Sequence, residues 1–143
     1  MIFLVLFKIH TKECSLAMNY NRALLFGRWY RNDIDEKGLQ TVEYAQLSAD
    51  GSFEFTFMST DQDTDVTEEV IELGDWGLVG NIHFTITKSE LIEQQLYAAD
   101  LNDSNNYQAY KVLQLNHQVF EYQHIETKEI FMMRKVTDAI GYC

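Results

Sequence analysis

The sequence predicts an all-β fold, an eight-stranded antiparallel up-and-down meander closed into a barrel. Three observations predict it. Aromatic residues make up 13% of the 143 residues and proline is absent, a composition suited to strands with uninterrupted ladders. Apolar and polar residues alternate with period two in several short runs. Turn signals separate those runs at short intervals, so the strands follow one another as hairpins. A meander of this length pairs both of its edge strands only by closing on itself. The length suits one domain with a real core.

The chain supports each element in turn. Asn21 to Leu24 fits a single helical turn leading into a first strand at about 25–31, Leu25-Phe26-Gly27-Arg28-Trp29-Tyr30-Arg31. A polar loop through Asp35-Glu36-Lys37-Gly38 precedes a second strand at 41–47. Asp50-Gly51 then supplies the left-handed conformation that a tight hairpin needs. The third strand, 52–58, alternates strictly: Phe53, Phe55 and Phe57 share one face, Glu54 and Thr56 the other. After an acidic loop, a long strand at 68–79 is interrupted by Gly74 and Gly77, residues expected at bulges or bends. Gly80-Asn81 reads as a two-residue turn with Gly first. The strand 82–87 follows, with Ile82, Phe84 and Ile86 on one face. Thr87 and Glu90 have capping-box spacing, so 91–96 reads as a short helix or loop between the fifth and sixth strands. Residues 100–106 are rich in turn formers. Strands at 107–115, 118–124 and 129–136 complete the eight.

Gly27-Arg28-Trp29 is a G-x-W in the first strand of this meander, and Gly74-Asp75-Trp76 is a second copy. In that context the first resembles the lipocalin and wider calycin signature, and the chain is similar to small bacterial lipocalin-like proteins. The resemblance spans roughly residues 25–136. It implies that Gly27 and Trp29 are structural, with Trp29 packed across the closed end of the barrel. It also implies an Arg from the last strand over the indole, a position that Arg134 offers.

Composition narrows the classes of partner. The formal net charge is −11, from 22 acids against 11 Lys plus Arg. Such a field repels phosphate backbones and anionic lipid, so neither nucleic acid nor membrane is expected as a partner. Cys14 and Cys143, without CxxC or a nearby His pattern, give no zinc signal. Two reduced thiols fit a cytoplasmic protein. The run Ile2 to Phe7 is too short to span a bilayer and lacks the basic segment of a signal peptide. Two readings of 1–17 stand open, an N-terminal arm or residues upstream of a true start at Met18. Residues 18–143 are read as a single barrel domain.

The motifs for chemistry are sparse. Asp61, Asp63, Asp65 and Glu72 fall at positions one, three, five and twelve of a calcium-loop spacing. Val66 stands where that loop needs Gly, and the flanks read as strands, so a hairpin loop is the better reading. His83, His117 and His124 do not cluster by spacing. No serine sits in a G-x-S-x-G elbow, and no GxGxxG or P-loop occurs. The sequence therefore assigns no catalytic residue, metal or cofactor.

The barrel lumen remains. Its expected ligand-binding lining is Tyr44, Phe53, Phe55 and Phe57, then Phe84 with Ile82 and Ile86, then Tyr110, Phe120 and Tyr122, with His124 as a polar tip. An aromatic cavity with a few polar groups suits a small hydrophobic or amphipathic ligand. The alternative is a filled barrel acting as a non-catalytic interaction or structural module with an acidic surface. The loop at 96–106 is placed to lie over the barrel mouth.

Overall fold

A computed structural model describes residues 20–137 of the chain. The segment 1–17, Met18 and both cysteines lie outside the described residues. A 3-10 turn at Arg22–Leu25 is capped by Asn21, whose side chain accepts from the Ala23 amide at 3.0 Å. Nine strands follow: β1 (Gly27–Ile34), β2 (Leu39–Leu47), β3 (Ser52–Asp61), β4 (Val66–Val79), β5 (Ile82–Ile92), β6 (Gln95–Ala98), β7 (Tyr107–Leu115), β8 (Val119–His124) and β9 (Ile130–Lys135).

All neighbouring strands pair antiparallel. The order β4-β3-β2-β1-β9-β8-β7-β5 closes through a β4–β5 pairing, which makes an eight-stranded up-and-down barrel. β6 is an addition, paired only with the far part of β5 from Ser89 to Ile92. β7 pairs β5 only over Ile82 to Ile86. Beyond that point the wall between β5 and β7 is replaced by β6 and the loop at 99–106, which leaves that end of the barrel open.

The two ends differ in chemistry. One end holds the core: Trp29 and Leu25 are fully buried, with Leu47, Val112, Phe120 and Met133 around them. Trp29 meets Phe120 edge-on at 5.7 Å, and its Nε1 donates to the Leu25 carbonyl at 2.9 Å. Each such side chain contributes about 1.5–3 kcal/mol by leaving water. Trp76 is buried nearby and donates through Nε1 to the Ser48 carbonyl at 2.9 Å. The Arg22 guanidinium lies over its ring at 4.6 Å. Each G-x-W copy thus supplies one buried indole with a cation above it.

Three expectations are corrected. The cation over Trp29 is Lys135, with Nζ at 4.6 Å from the ring, and not Arg134. The register explains this: Trp29 faces Lys135 across the β1–β9 pair, whereas Arg134 faces Tyr30 on the outer side. The Lys135 ammonium also donates to the Phe26 carbonyl. Gly27, at φ +113°, makes room for it, because a Cβ there would lie 2.8 Å from Lys135 Nζ. Lys135→Met should therefore lower stability by about 0.5–2 kcal/mol. Arg134→Met, on an exposed side chain, should stay within about 0.5 kcal/mol. Urea unfolding of the two variants tests this; equal losses would reject the Lys135 assignment.

Second, 91–96 is not a helix. β5 continues to Ile92, turns through Glu93 and Gln94 at φ +50° and +68°, and returns as β6. Pairing with β5 prevails over the capping signal at Thr87, whose side chain instead faces the lumen. The only helical turn between β6 and β7 is the short 3-10 segment Ser104–Asn106.

Third, the apolar face of β5 is outside. His83, Thr85 and Thr87 are buried and face inward, while Ile82, Phe84 and Ile86 lie on the outer side. Phe84 packs over Gly77, where a Cβ would come within 2.4 Å of its ring. The Asp50-Gly51 and Gly80-Asn81 turns join strands as expected, with Gly51 at φ +90° and Gly80 at φ +61°.

Candidate functional site

The open half of the barrel encloses a cavity of about 290 Å³. Every barrel strand contributes to its wall. Arg31 comes from β1, Glu43 from β2, Phe55 and Phe57 from β3, and Glu72 from β4. Thr85 and Thr87 come from β5, Gln108 and Tyr110 from β7, Tyr122 from β8 and Phe131 from β9. Asn105 and Asn106 close it from the loop before β7, so that loop does reach the mouth. A recess of about 30 Å³ lies toward the core, lined by Trp29, His83, Phe120 and Met133 among others. Glu43, Phe55, Thr85, Tyr110 and Tyr122 line both spaces.

Alternation from Trp29 explains the lining. Arg31 lies two residues along β1 and so shares the inward face. On β4, Glu72 and Gly74 share the face of Trp76. On β2, Glu43 alternates inward with Ala45 and Leu47, all three buried.

The polar groups form two sets. Arg31 Nε donates to Glu43 Oε1 at 2.7 Å, and its Nη1 pairs with Asp33. The Phe131 ring covers the guanidinium, with 5.1 Å between Cζ and the ring centroid. Burial raises the Glu43 carboxyl above its ordinary value, against the opposing pull of Arg31. Glu72 accepts a hydrogen bond from Thr87 Oγ1 at 3.0 Å. Burial raises its carboxyl too, and the Thr87 bond opposes that. Among the described residues no cation pairs with Glu72. Burial also pushes the Tyr110 hydroxyl up to about 12 and the Tyr122 hydroxyl well above its ordinary range. Both phenols are therefore neutral donors at physiological pH.

His83 is buried beside the recess, and its Nδ1 has no hydrogen-bond partner among the described residues. Desolvation lowers its pKa to about 4, against a hydrogen bond with the Gly77 backbone. The unfolded chain binds this proton near pH 6.5 and the folded chain does not. The stability from a neutral His83 is full above pH 6.5 and is lost as pH falls from 6.5 to 4, by about 3 kcal/mol. Glu43 and Glu72 act in the opposite sense, because a raised carboxyl stabilises the fold as pH falls toward the ordinary value. Subtracting the pH profile of His83→Leu from that of the unmodified protein isolates the His83 contribution. A difference that is flat between pH 6.5 and 4 would reject it.

The expected lining residues divide. Phe55, Phe57, Tyr110 and Tyr122 line the cavity, and Phe120 lines the recess. Phe53 stacks on Phe55 at 4.0 Å but lies in the closed-end core. Tyr44 is outside, with its ring 5.1 Å from that of Tyr30, because Glu43 and Ala45 take the inward positions. Phe84 is outside with Ile82 and Ile86. His124 shares the face of Phe120 and Tyr122 and meets the Tyr110 ring edge-on at 5.3 Å, but it is not part of the cavity lining. Its Nδ1 accepts from the Glu126 and Thr127 amides at 3.1 Å, which places the proton on Nε2, and Nε2 then donates to Gln108 Oε1 at 2.6 Å. His124 thus caps a turn and orients Gln108, which does reach the cavity.

The acidic segment 61–72 is a hairpin. Asp61 pairs with Val66 across the turn, while Glu72 lies farther along β4, opposite Phe55. Asp65 takes φ +59° in the turn. Among the described residues no group of three or more His, Cys, Asp or Glu is arranged to hold a metal ion, and no helix is long and apolar enough to cross a membrane.

A closed eight-strand meander, with a first-strand Trp buried at one end and a cavity at the other, is a lipocalin-like barrel. One similar solved structure is a lipocalin-like protein from Bacteroides uniformis, with a TM-score of 0.47 and 17% sequence identity over 79% of this chain and 99% of that one. No family model and no curated protein matches the chain.

Proposed function

We propose that the protein binds a small amphipathic molecule in the open half of its barrel. The observation that carries this reading is the convergence of all eight barrel strands on one cavity of about 290 Å³. At ~30 Å³ per water-sized group, such a space holds roughly ten of them. Phe55, Phe57, Tyr110 and Phe131 supply apolar wall, and Arg31, Glu43, Glu72 and the two threonines supply polar contacts. Small-molecule sites combine apolar wall with convergent polar groups; here the two are about equal, with Asn105, Asn106 and Gln108 adding to the polar side, which suits an amphipathic ligand. The closed half is filled, in keeping with a role in holding the barrel together. The filled-barrel alternative has less support, because it leaves this cavity without a role.

Native mass spectrometry of the protein purified from its own host tests the proposal. The expected result is a reproducible adduct that disappears in Thr85→Phe, a variant that fills the cavity from β5, with its folding checked by circular dichroism. Repeated absence of any adduct would favour the interaction module.

A further inference from the structure

We propose that the molecule taken by the lumen is an organic cation, an amine on a compact apolar body, with Glu72 as its counter-ion. This rests on the lumen being the binding site and adds the charge class of the ligand.

The balance of charge inside the cavity carries the inference. Among the described residues Arg31 is the one basic residue on the wall. Its guanidinium is engaged by Glu43 at 2.7 Å and by Asp33, and Phe131 covers it. Little of its charge is left for an anionic ligand. Glu72, by contrast, has only the Thr87 hydroxyl, at 3.0 Å, among the described residues. An anion entering the cavity would meet Glu72 and the buried Glu43. A cation would supply Glu72 with the partner it lacks, in a partly desolvated site where ionic hydrogen bonds are strong. The faces of Phe55 and Phe57 on the adjacent strand are favourable surfaces for a cation as well.

The mouth agrees with the interior. The β1–β2 and β3–β4 turns lie at the open end and are joined by the Gln62 amide donating to the Gly38 carbonyl at 3.3 Å. They carry Asp35, Glu36, Asp61, Asp63 and Asp65, against Lys37 alone. Such a rim raises the local concentration of cations and repels anions.

Calorimetric titration of the full chain with three probes of one shape tests this: phenethylamine, 2-phenylethanol and phenylacetate. Phenethylamine is expected to bind at least about tenfold more tightly than the alcohol, as a hydrogen bond to a charged group predicts. Phenylacetate is expected to bind most weakly. Glu72→Gln should abolish the preference for the amine, and Asp63→Asn on the rim should keep it. A preference that survives Glu72→Gln would mean adsorption to the acidic surface and would overturn the inference. Equal or tighter binding of the alcohol or the carboxylate would overturn the cation but leave the lumen as a binding site. No binding of any probe would count against both.

Discussion

Gly74→Ala is expected to cost at least about 4 kcal/mol of stability, the range reserved for severe steric damage. A Cβ on Gly74 would lie 1.9 Å from the Ile86 carbonyl oxygen and 2.8 Å from the Phe53 ring. The ring has some freedom; the carbonyl does not, because it belongs to β5 beside the only irregularity in the β4–β5 pairing. The register there steps from Leu73–Ser89 to Gly74–Thr87, which leaves Lys88 out of the ladder. Relieving the clash would separate β4 from β5, the pair that closes the barrel. Gly80→Ala is the control. Its Cβ would meet nothing within 4 Å, so only the positive φ of +61° matters, at about 1–2 kcal/mol. Urea unfolding midpoints compare the two directly. Equal losses would reject the close approach of the two strands as the reason for a glycine at position 74.

Trp29→Ala is expected to cost about 3–5 kcal/mol, the usual range for deleting a buried aromatic. The side chain is fully buried at the closed end, against Phe120 on one side and under Lys135 on the other. Trp29→Phe keeps much of the volume but removes the Nε1 bond to the Leu25 carbonyl, so it should lose about 1–2 kcal/mol. Trp76 remains as the fluorescent reporter in both variants. Unchanged stability in Trp29→Ala would remove the closed-end plug from this account of the fold.

These two positions also mark what was legible. Trp29 and Gly74 both stand out in the sequence, in the two G-x-W copies, and both hold the barrel together. The strand runs and the Asp50-Gly51 and Gly80-Asn81 turns were legible because they depend on local chemistry. Of the two readings of 91–96, a short helix or a loop, the helix is excluded because a capping pattern is weak beside the pairing of β5 with β6. The inward face of β5 failed for a related reason. Ile82, Phe84 and Ile86 form the greasier face, yet Phe84 satisfies its burial on the outside, over Gly77. Hydrophobicity by itself does not fix a strand's orientation when a partner glycine offers a surface for an aromatic ring.

Of the cavity, the sequence disclosed the aromatic half except Phe131. Phe55, Phe57, Tyr110 and Tyr122 were expected there and are there. The polar half was hidden. Arg31, Glu43 and Glu72 look like ordinary surface charges in a chain with 22 acidic residues. A usable signal existed: each has the parity of a tryptophan or a small apolar residue on its own strand. Applied from Trp29 to Arg31, and from Trp76 to Glu72, that parity would have turned these charges inward.

By itself, then, the sequence determined the strands, most of their turns and the indole at the closed end, because period-two patterning and turn chemistry act within a few residues. Only the tertiary structure decided which face is the lumen, that Lys135 rather than Arg134 covers Trp29, and that two carboxylates share the cavity with one guanidinium. Those outcomes depend on cross-strand register and on closure between β4 and β5, contacts between segments far apart in the chain.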